Sequence, residues 1–508
     1  MKALQTLRVL IQKLKNEEVK SLKKFINYDE KSLNSEKSKT YKLVSILLEN
    51  KVQSSSEIQI ALFGTTNYEA FNKLLNRLRD KIHEVILFDS NLEKTVASKR
   101  NLAIFDTRKK LIQSEVLFSR GMKEETQVFH KKIIKQAKQY EVYDVILEAL
   151  YAQQRYLGFR LGSASYRKLN KEIDFYESGR IAAIKARQKF NSISSKINFS
   201  SSFEDYSVEL NETISQLQID FNSTKSSTIG YYYFILVIEK LQNENRLDEA
   251  QKNLFELKKL LEKNKAIFTK HRMGNTLINI ANNELLMRDF STALISASKA
   301  DEFYLDAGGI NLLVVNEIKF YSLYYQFKFA EAKLIAEEMY FGSRSANMSF
   351  FNSKSGFLLS CIKTINLEFE ESNRLLQELS DIDLDREGWN ISRRLLFIIN
   401  NIELGLYDEV ELLIQNLQKH IRRTSRKKLV RKRFMIIVQI LVRLVNLNFD
   451  FKKVYDGRKK QLMLLASNDL DYRWIVKSPE LIIFHIWFKN KALNMKNTEF
   501  SKYFFSEL

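Results

Sequence analysis

The chain has 508 residues, with 81 Lys and Arg against 61 Asp and Glu, a net charge of +20 and a pI near 9.5. Its one proline, Pro479, and 14 glycines compare with about 25 prolines at average usage, which excludes a fold built on tight turns and leaves helix over nearly the whole length. A makeup of 45% hydrophobic and 28% charged residues excludes disorder on a large scale, and the positive excess permits an anionic partner without naming one.

The N-terminal MKALQTLRVLIQKLKNEEVK carries charge every few residues and no uninterrupted apolar stretch before a small-residue cleavage site, so no signal peptide is expected and the location is read as cytoplasmic. Residues 1–92 read as a small helical domain: KNEEVKSLKKFINYD, then YKLVSILLEN, then a third helix, spaced by the polar DEKSLNSEKSKT. In SSSEIQIALFGTTNYEAFNKLLNRLRDKIHEVIL a short helix and a turn precede a helix holding Arg77, Leu78 and Arg79. That pattern resembles the helix-turn-helix half of bacterial winged-helix regulators. Steps of about 100° per residue bring Lys73, Arg77 and Lys81 into one stripe opposite Leu74, Leu75, Leu78, Ile82, Val85 and Ile86. Such a stripe suits a DNA major groove. Asp80 and Glu84 fall on or beside it and suit an ordinary salt-bridged surface equally. The following VILFDSNLEKTVASKRNLAIF keeps a helical period, so no β-wing is expected.

Residues 93–235 read as degenerate helical repeats, with QYEVYDVILEAL near residue 139 as an early copy and the serine-rich 191–205 as an interruption. From 236 to 508 one pattern returns: LDEA ending at Ala250, FSTA at Ala293, FAEA at Ala332, FEES at Ser372 and YDEV at Val410, at spacings of 43, 39, 40 and 38. Four and seven residues after each anchor the chain is apolar every time, from Leu254 and Leu257 to Ile414 and Leu417. Offsets of four and seven lie on one helical face, so each copy presents the same stripe to a neighbour. At these residues the chain resembles the tetratricopeptide-like superfamily of helix-turn-helix repeats, over about residues 235–425. The resemblance implies an all-α fold, a right-handed solenoid of helical hairpins behind the small N-terminal domain, and binding of a protein or peptide partner. The period is nearer 40 than the usual ~34, and no copy carries the closing proline, departures that longer helices fit. Near the end, Ser478, Pro479 and Glu480 read as N-cap, first-turn proline and first-turn acid of a last helix that caps the array.

Chemistry-bearing motifs are sparse. His83, His130, His271, His420 and His485 show no metal-ligand spacing, and no glycine-rich phosphate loop occurs; Gly308 and Gly309 read as a break between helices. Asp381, Asp383 and Asp385 alternate like a calcium loop, but Arg386 and Ser392 replace the glycine and glutamate that loop needs. Cys361, the one cysteine, sits in GFLLSCIKTI and reads as a buried, inert thiol. The apolar run Phe434–Phe449 is broken by Gln439 and Arg443 and falls short of the roughly 20 residues a bilayer needs. No metal, cofactor, membrane span or enzymatic activity is expected. One basic cluster stands out: Lys419, Arg422, Arg423, Arg426, Lys427, Lys428, Arg431, Lys432 and Arg433, with no acid among them. It reads as a solvated turn between helices or as a dock for an anionic partner. The reading is a non-enzymatic protein-binding scaffold. Its alternative is a DNA-binding transcriptional regulator whose first 92 residues hold DNA and whose repeats sense a partner, with nucleic acid then a second partner.

Overall fold

The computed structural model describes residues 2–494 apart from 15, 30–37, 50–53, 88–97, 158–161, 200–202, 305–309, 347, 384, 386, 426–429 and 470. The domain boundary expected at residue 92, Gly308 and Gly309, and Arg426, Lys427 and Lys428 of the basic cluster lie outside the described residues. Every regular element among the described residues is helical. The chain divides into two compact units, 1–102 and 103–508.

The first unit holds α1 (Lys2–Lys13), α2 (Asn16–Asp29), α3 (Lys39–Leu48), α4 (Ser55–Phe63) and α5 (Tyr68–Leu87). Local sequence sets these ends. Ser54 accepts from the Glu57 amide while the Glu57 carboxylate accepts from the Ser54 amide, a capping box that starts α4, and Gly64 at φ 77° ends it. Leu7, Leu22, Ile26, Leu43, Ile58, Leu78 and Ile82 form the centre of this unit's core.

The second unit opens with α6 (Lys99–Ser119), whose first residues precede the division, followed by α7 (Lys123–Gln139), α8 (Tyr143–Leu157), the long α9 (Gly162–Phe199) and α10 (Ser207–Thr224). The serine-rich interruption is corrected here. Residues 191–199 lie inside α9, where Ile193 and Phe190 pack against Leu210 and Tyr232, and that burial overrides the weak helix preference of the serines. Helical hairpins follow: α11 (Ser227–Asn243) with α12 (Leu247–Lys263), α13 (Lys270–Leu286) with α14 (Phe290–Asp301), α15 (Ile310–Tyr324) with α16 (Phe329–Ser345), α17 (Ser349–Ile365) with α18 (Phe369–Glu378), and α19 (Trp389–Glu403) with α20 (Tyr407–Ser425). The unit closes with α21 (Lys432–Asn446), α22 (Phe451–Gly457), α23 (Lys459–Leu465) and α24 (Phe484–Ala492). Each hairpin packs on the next, and α13 touches α15 directly, as α17 touches α19. This is a helical-hairpin solenoid.

The five anchors Ala250, Ala293, Ala332, Ser372 and Val410 are all 0% exposed. The residues four and seven positions on, from Leu254 to Leu417, are buried with them, so one stripe per hairpin feeds one continuous core. The turns repeat as closely as the anchors. Five residues before each anchor the backbone is left-handed, at Asn245, Arg288, Phe327, Leu367 and Gly405. The next amide reaches back five residues, Asp289 N to Glu284 O at 3.0 Å and Lys328 N to Leu323 O at 3.0 Å among them. That is the 6→1 bond of a Schellman motif, which satisfies carbonyls a helix end would leave open. The same turn stands at Gly121 and Glu141, where the Met122 and Val142 amides bond to Leu117 O and Ala137 O at 3.0 Å.

Candidate functional site

Among the described residues polar side chains gather at several places, such as Thr364, Ser372 and Asn400, and two of these places bear on binding. The first is where residues 474–483 cross the odd-numbered helices of the solenoid. Tyr325 on the turn after α15 donates its hydroxyl to Val476 O at 2.7 Å, and Tyr324 donates to Leu481 O at 3.2 Å. Lys477 Nζ donates to Asn282 Oδ1 on α13 at 2.9 Å, and Trp487 Nε1 on α24 donates to Glu403 Oε1 on α19 at 2.7 Å. At the centre lies Arg433, 1% exposed. Its Nε and Nη2 donate to the two oxygens of Glu480 at 2.5 and 2.8 Å, its Nη1 donates to Leu465 O and Tyr472 O at 2.6 and 2.7 Å, and Nη2 also meets His485 Nδ1 at 3.2 Å. All the N–H donors of the guanidinium are engaged. Burial alone would raise the Glu480 carboxyl, but the charge and hydrogen bonds of Arg433, with the Phe484 amide, hold it below the ordinary carboxylate range. Glu480 Oε1 also accepts the Phe484 amide at 2.9 Å, so it starts α24. This corrects the expected helix start at Pro479: the helix begins at Phe484, and residues 478–480 run without helix because Glu480 is committed to Arg433.

The second place is a cavity of about 680 Å³ among α6, α7 and α8. Each helix gives it one stripe at helical spacing: Leu111, Ser114, Glu115 and Phe118; Lys123, Thr126 and His130; Glu148, Tyr151, Ala152 and Arg155. Beside it α6 carries Phe105, Ile112 and Val116 at 50%, 63% and 44% exposure. Sequence reasoning passed over this site. The signal was the absence of a polar face in LAIFDTRKKLIQSEVLF, which puts apolar residues on both sides of α6.

The six described members of the basic cluster do not form one exposed surface. Lys419, Arg422 and Arg423 are exposed near the end of α20. Arg431 donates to Arg473 O at 2.8 Å and Lys432 to Asp471 at 2.5 Å, and Arg433 is spent inside as described, which removes it from any anion dock. The stripe on α5 is likewise corrected. Lys73 pairs with Glu69 at 2.7 Å and Arg77 donates to Thr40 at 2.9 Å, and Lys81 is 5% exposed. Lys81 falls beside Ile82 and Leu78, where the unit closes on the helix, so the three cations form no common exposed face. Asp381 pairs with Arg393 and Arg394, and Asp385 caps the Gly388 and Asn390 amides, which uses two of the three carboxylates of the calcium-like loop. Among the described residues no cluster fit for a metal occurs, and no helix is long and apolar enough to cross a membrane. Cys361 is fully buried and burial pushes its thiol well up.

No family model and no curated protein matches the sequence. Among solved structures, the crystal structure of the apo form of RapI aligns over 79% of this chain and 96% of its own, at 11% identity and a TM-score of 0.44.

Proposed function

We propose that the chain is a non-enzymatic helical-repeat scaffold that binds a protein partner through the α6 end of the second unit. The observation that carries this reading is the exposed row Phe105, Ile112 and Val116. A repeat array needs a polar outer face at its ends to stay soluble, and a contiguous apolar row on an outer helix marks a surface that another protein covers. Around Tyr324 and Tyr325 the odd-numbered helices are already covered by residues 474–483 of the chain.

The test compares full-length protein with the double variant Ile112→Glu, Val116→Glu as baits in the native cell extract, read by quantitative mass spectrometry. A partner enriched on the natural chain, lost on the variant and accompanied by an unchanged unfolding midpoint supports the reading. Equal recoveries on both baits, or a natural chain that is a dimer in solution while the variant is a monomer, would overturn it.

A further inference from the structure

Another cavity, of about 300 Å³, lies beside the crossing segment. Every odd-numbered helix from α13 to α21, or the residues leading into it, brings one charged or polar side chain to this cavity. Asn282 comes from α13, Glu317 from α15 and Lys354 from α17; Glu387 stands two residues before α19, Arg431 at the start of α21, and Lys477 on the crossing segment. These positions are far apart in sequence, and only the stacking of hairpins against residues 474–483 makes them one lining.

The lining is held in place and carries an excess of positive charge. Lys354 Nζ and Glu317 Oε2 are 2.9 Å apart, in side chains only 10% and 6% exposed, and the same ammonium lies 4.6 Å from the centre of the Trp389 ring. Burial alone would raise the Glu317 carboxyl, but the charges of Lys354 and Lys477 hold it below the ordinary carboxylate range, so it stays ionised. Glu387 accepts from Trp389 Nε1 at 2.5 Å. Three cations, Lys354, Arg431 and Lys477, therefore face two carboxylates, and the cavity is one negative charge short.

Two of these cations have donors to spare. Lys477 and Arg431 are half-buried, and each gives one N–H to the chain, to Asn282 Oδ1 and to Arg473 O. Burial, and after it the charges of Arg433 and Arg473 set against Glu480 and Asp471, push the Arg431 pKa down. A negative group against its remaining N–H groups offsets that penalty. A guanidinium presents paired N–H groups that match two oxygens of a carboxylate or phosphate, and an ammonium adds a compact charge. A cation would worsen the excess, and a neutral molecule would leave it. The volume lies at the lower end of the range of about 300–1,000 Å³ typical of ligand sites, which suits a small molecule.

We propose that this cavity binds a small oxyanion, a carboxylate or a phosphate, whose oxygens accept from Arg431 and Lys477 while the Lys354 and Glu317 pair stays intact beside it. Nothing at this site involves α6, so it stands or falls apart from the partner-binding surface.

Titration calorimetry on the full-length protein, in chloride buffer of constant ionic strength, uses succinate and glycerol phosphate as probes and succinamide and glycerol as their uncharged counterparts. A saturable one-to-one heat at millimolar or lower concentration with at least one anion, and none with the uncharged pair, is expected; the anion that responds tells carboxylate from phosphate. Lys477→Gln and Arg431→Gln each remove a charge-assisted donor and should weaken that binding roughly tenfold or more. Glu387→Gln keeps an acceptor for Trp389 and removes the opposing charge, so it should tighten the same anion severalfold, a gain that misfolding does not imitate. Replacing the exposed Lys419, Arg422 and Arg423 of α20 by Gln should leave the affinity unchanged. No saturable heat with either anion, an uncharged counterpart that binds as well, unchanged affinity in both Lys477→Gln and Arg431→Gln, weaker binding in Glu387→Gln, or a loss in the α20 variant overturns the proposal.

Discussion

Arg433 and Glu480 are each about 1% exposed in their side chains and meet through two hydrogen bonds. Removing one partner of a buried ion pair leaves the other charge uncompensated, at a cost of about 3–5 kcal/mol. Arg433→Met should lower stability by that amount in urea unfolding, and the double variant Arg433→Met, Glu480→Leu should recover most of it, because an apolar pair leaves no stranded charge. Replacing exposed Lys419, Arg422 and Arg423 by Gln should stay within about 0.5 kcal/mol, so the same urea curves separate the two halves of the basic cluster. The pair also sets a pH dependence. The folded Glu480 carboxyl titrates below its unfolded value, so its contribution is fully present above the unfolded range near 4.3 and is lost as pH falls through the folded pKa. The urea midpoint should therefore drop more steeply below about pH 4.5 in the natural chain than in Glu480→Gln; parallel curves would show that Glu480 carries no linkage.

Left-handed turns set the spacing between one hairpin helix and the next, and four of the five anchored copies place a residue with a Cβ there. A left-handed residue other than glycine costs roughly 1–2 kcal/mol. Leu367 is 44% exposed at φ 65°, so its side chain returns little burial. Leu367→Gly should stabilise by about 0.5–1 kcal/mol once the extra freedom of the unfolded glycine is counted. The equivalent Gly405→Leu, at φ 75°, should cost about 1–2 kcal/mol, both read from thermal midpoints; a loss in the first or a gain in the second would mean that neighbouring contacts dominate the turn. The same elements show what sequence could and could not reveal. The anchors were legible because a small residue every forty positions, followed by apolar residues at four and seven, leaves few other structures for the chain. The turn at Glu141, which shares the geometry, was visible only as a degenerate copy, since its anchor position holds the bulky Ile146 and the position seven residues on holds Gln153 in place of an apolar residue. The cavity was hidden for a different reason: Ser114, His130 and Arg155 are sixteen and more residues apart, and only the packing of three helices converts their separate stripes into one site. Lys81 was misplaced because helical angle alone does not tell how far round a helix its neighbours reach.

A solenoid is held by nearest-neighbour contacts, which lets its ends unfold without its middle. Here residues 474–487 break that rule by bonding to Asn282, Tyr324, Tyr325, Glu403 and Arg433, partners spread over three hairpins and α21. Whether this segment is a loose tenant of the odd-numbered helices or part of the core is decided by magnitude. Leu481, Ile483, Phe484, Trp487 and Phe488 are fully buried, and each is worth about 1.5–3 kcal/mol, which together matches the whole stability of about 5–15 kcal/mol expected of a folded protein. No ordinary partner peptide would displace it. Trp487→Ala alone should cost about 3–5 kcal/mol, and because Trp487 also holds α19 through Glu403, amide exchange should accelerate in α13, α15 and α19 together. The chain ended after Arg473 should lose cooperative unfolding and expose the tyrosines of α15 to solvent. A truncated chain that still melted in one sharp transition, with exchange in α13 unchanged, would mean the segment is detachable, and the odd-numbered helices it covers would then compete with the α6 end as the place where a partner binds.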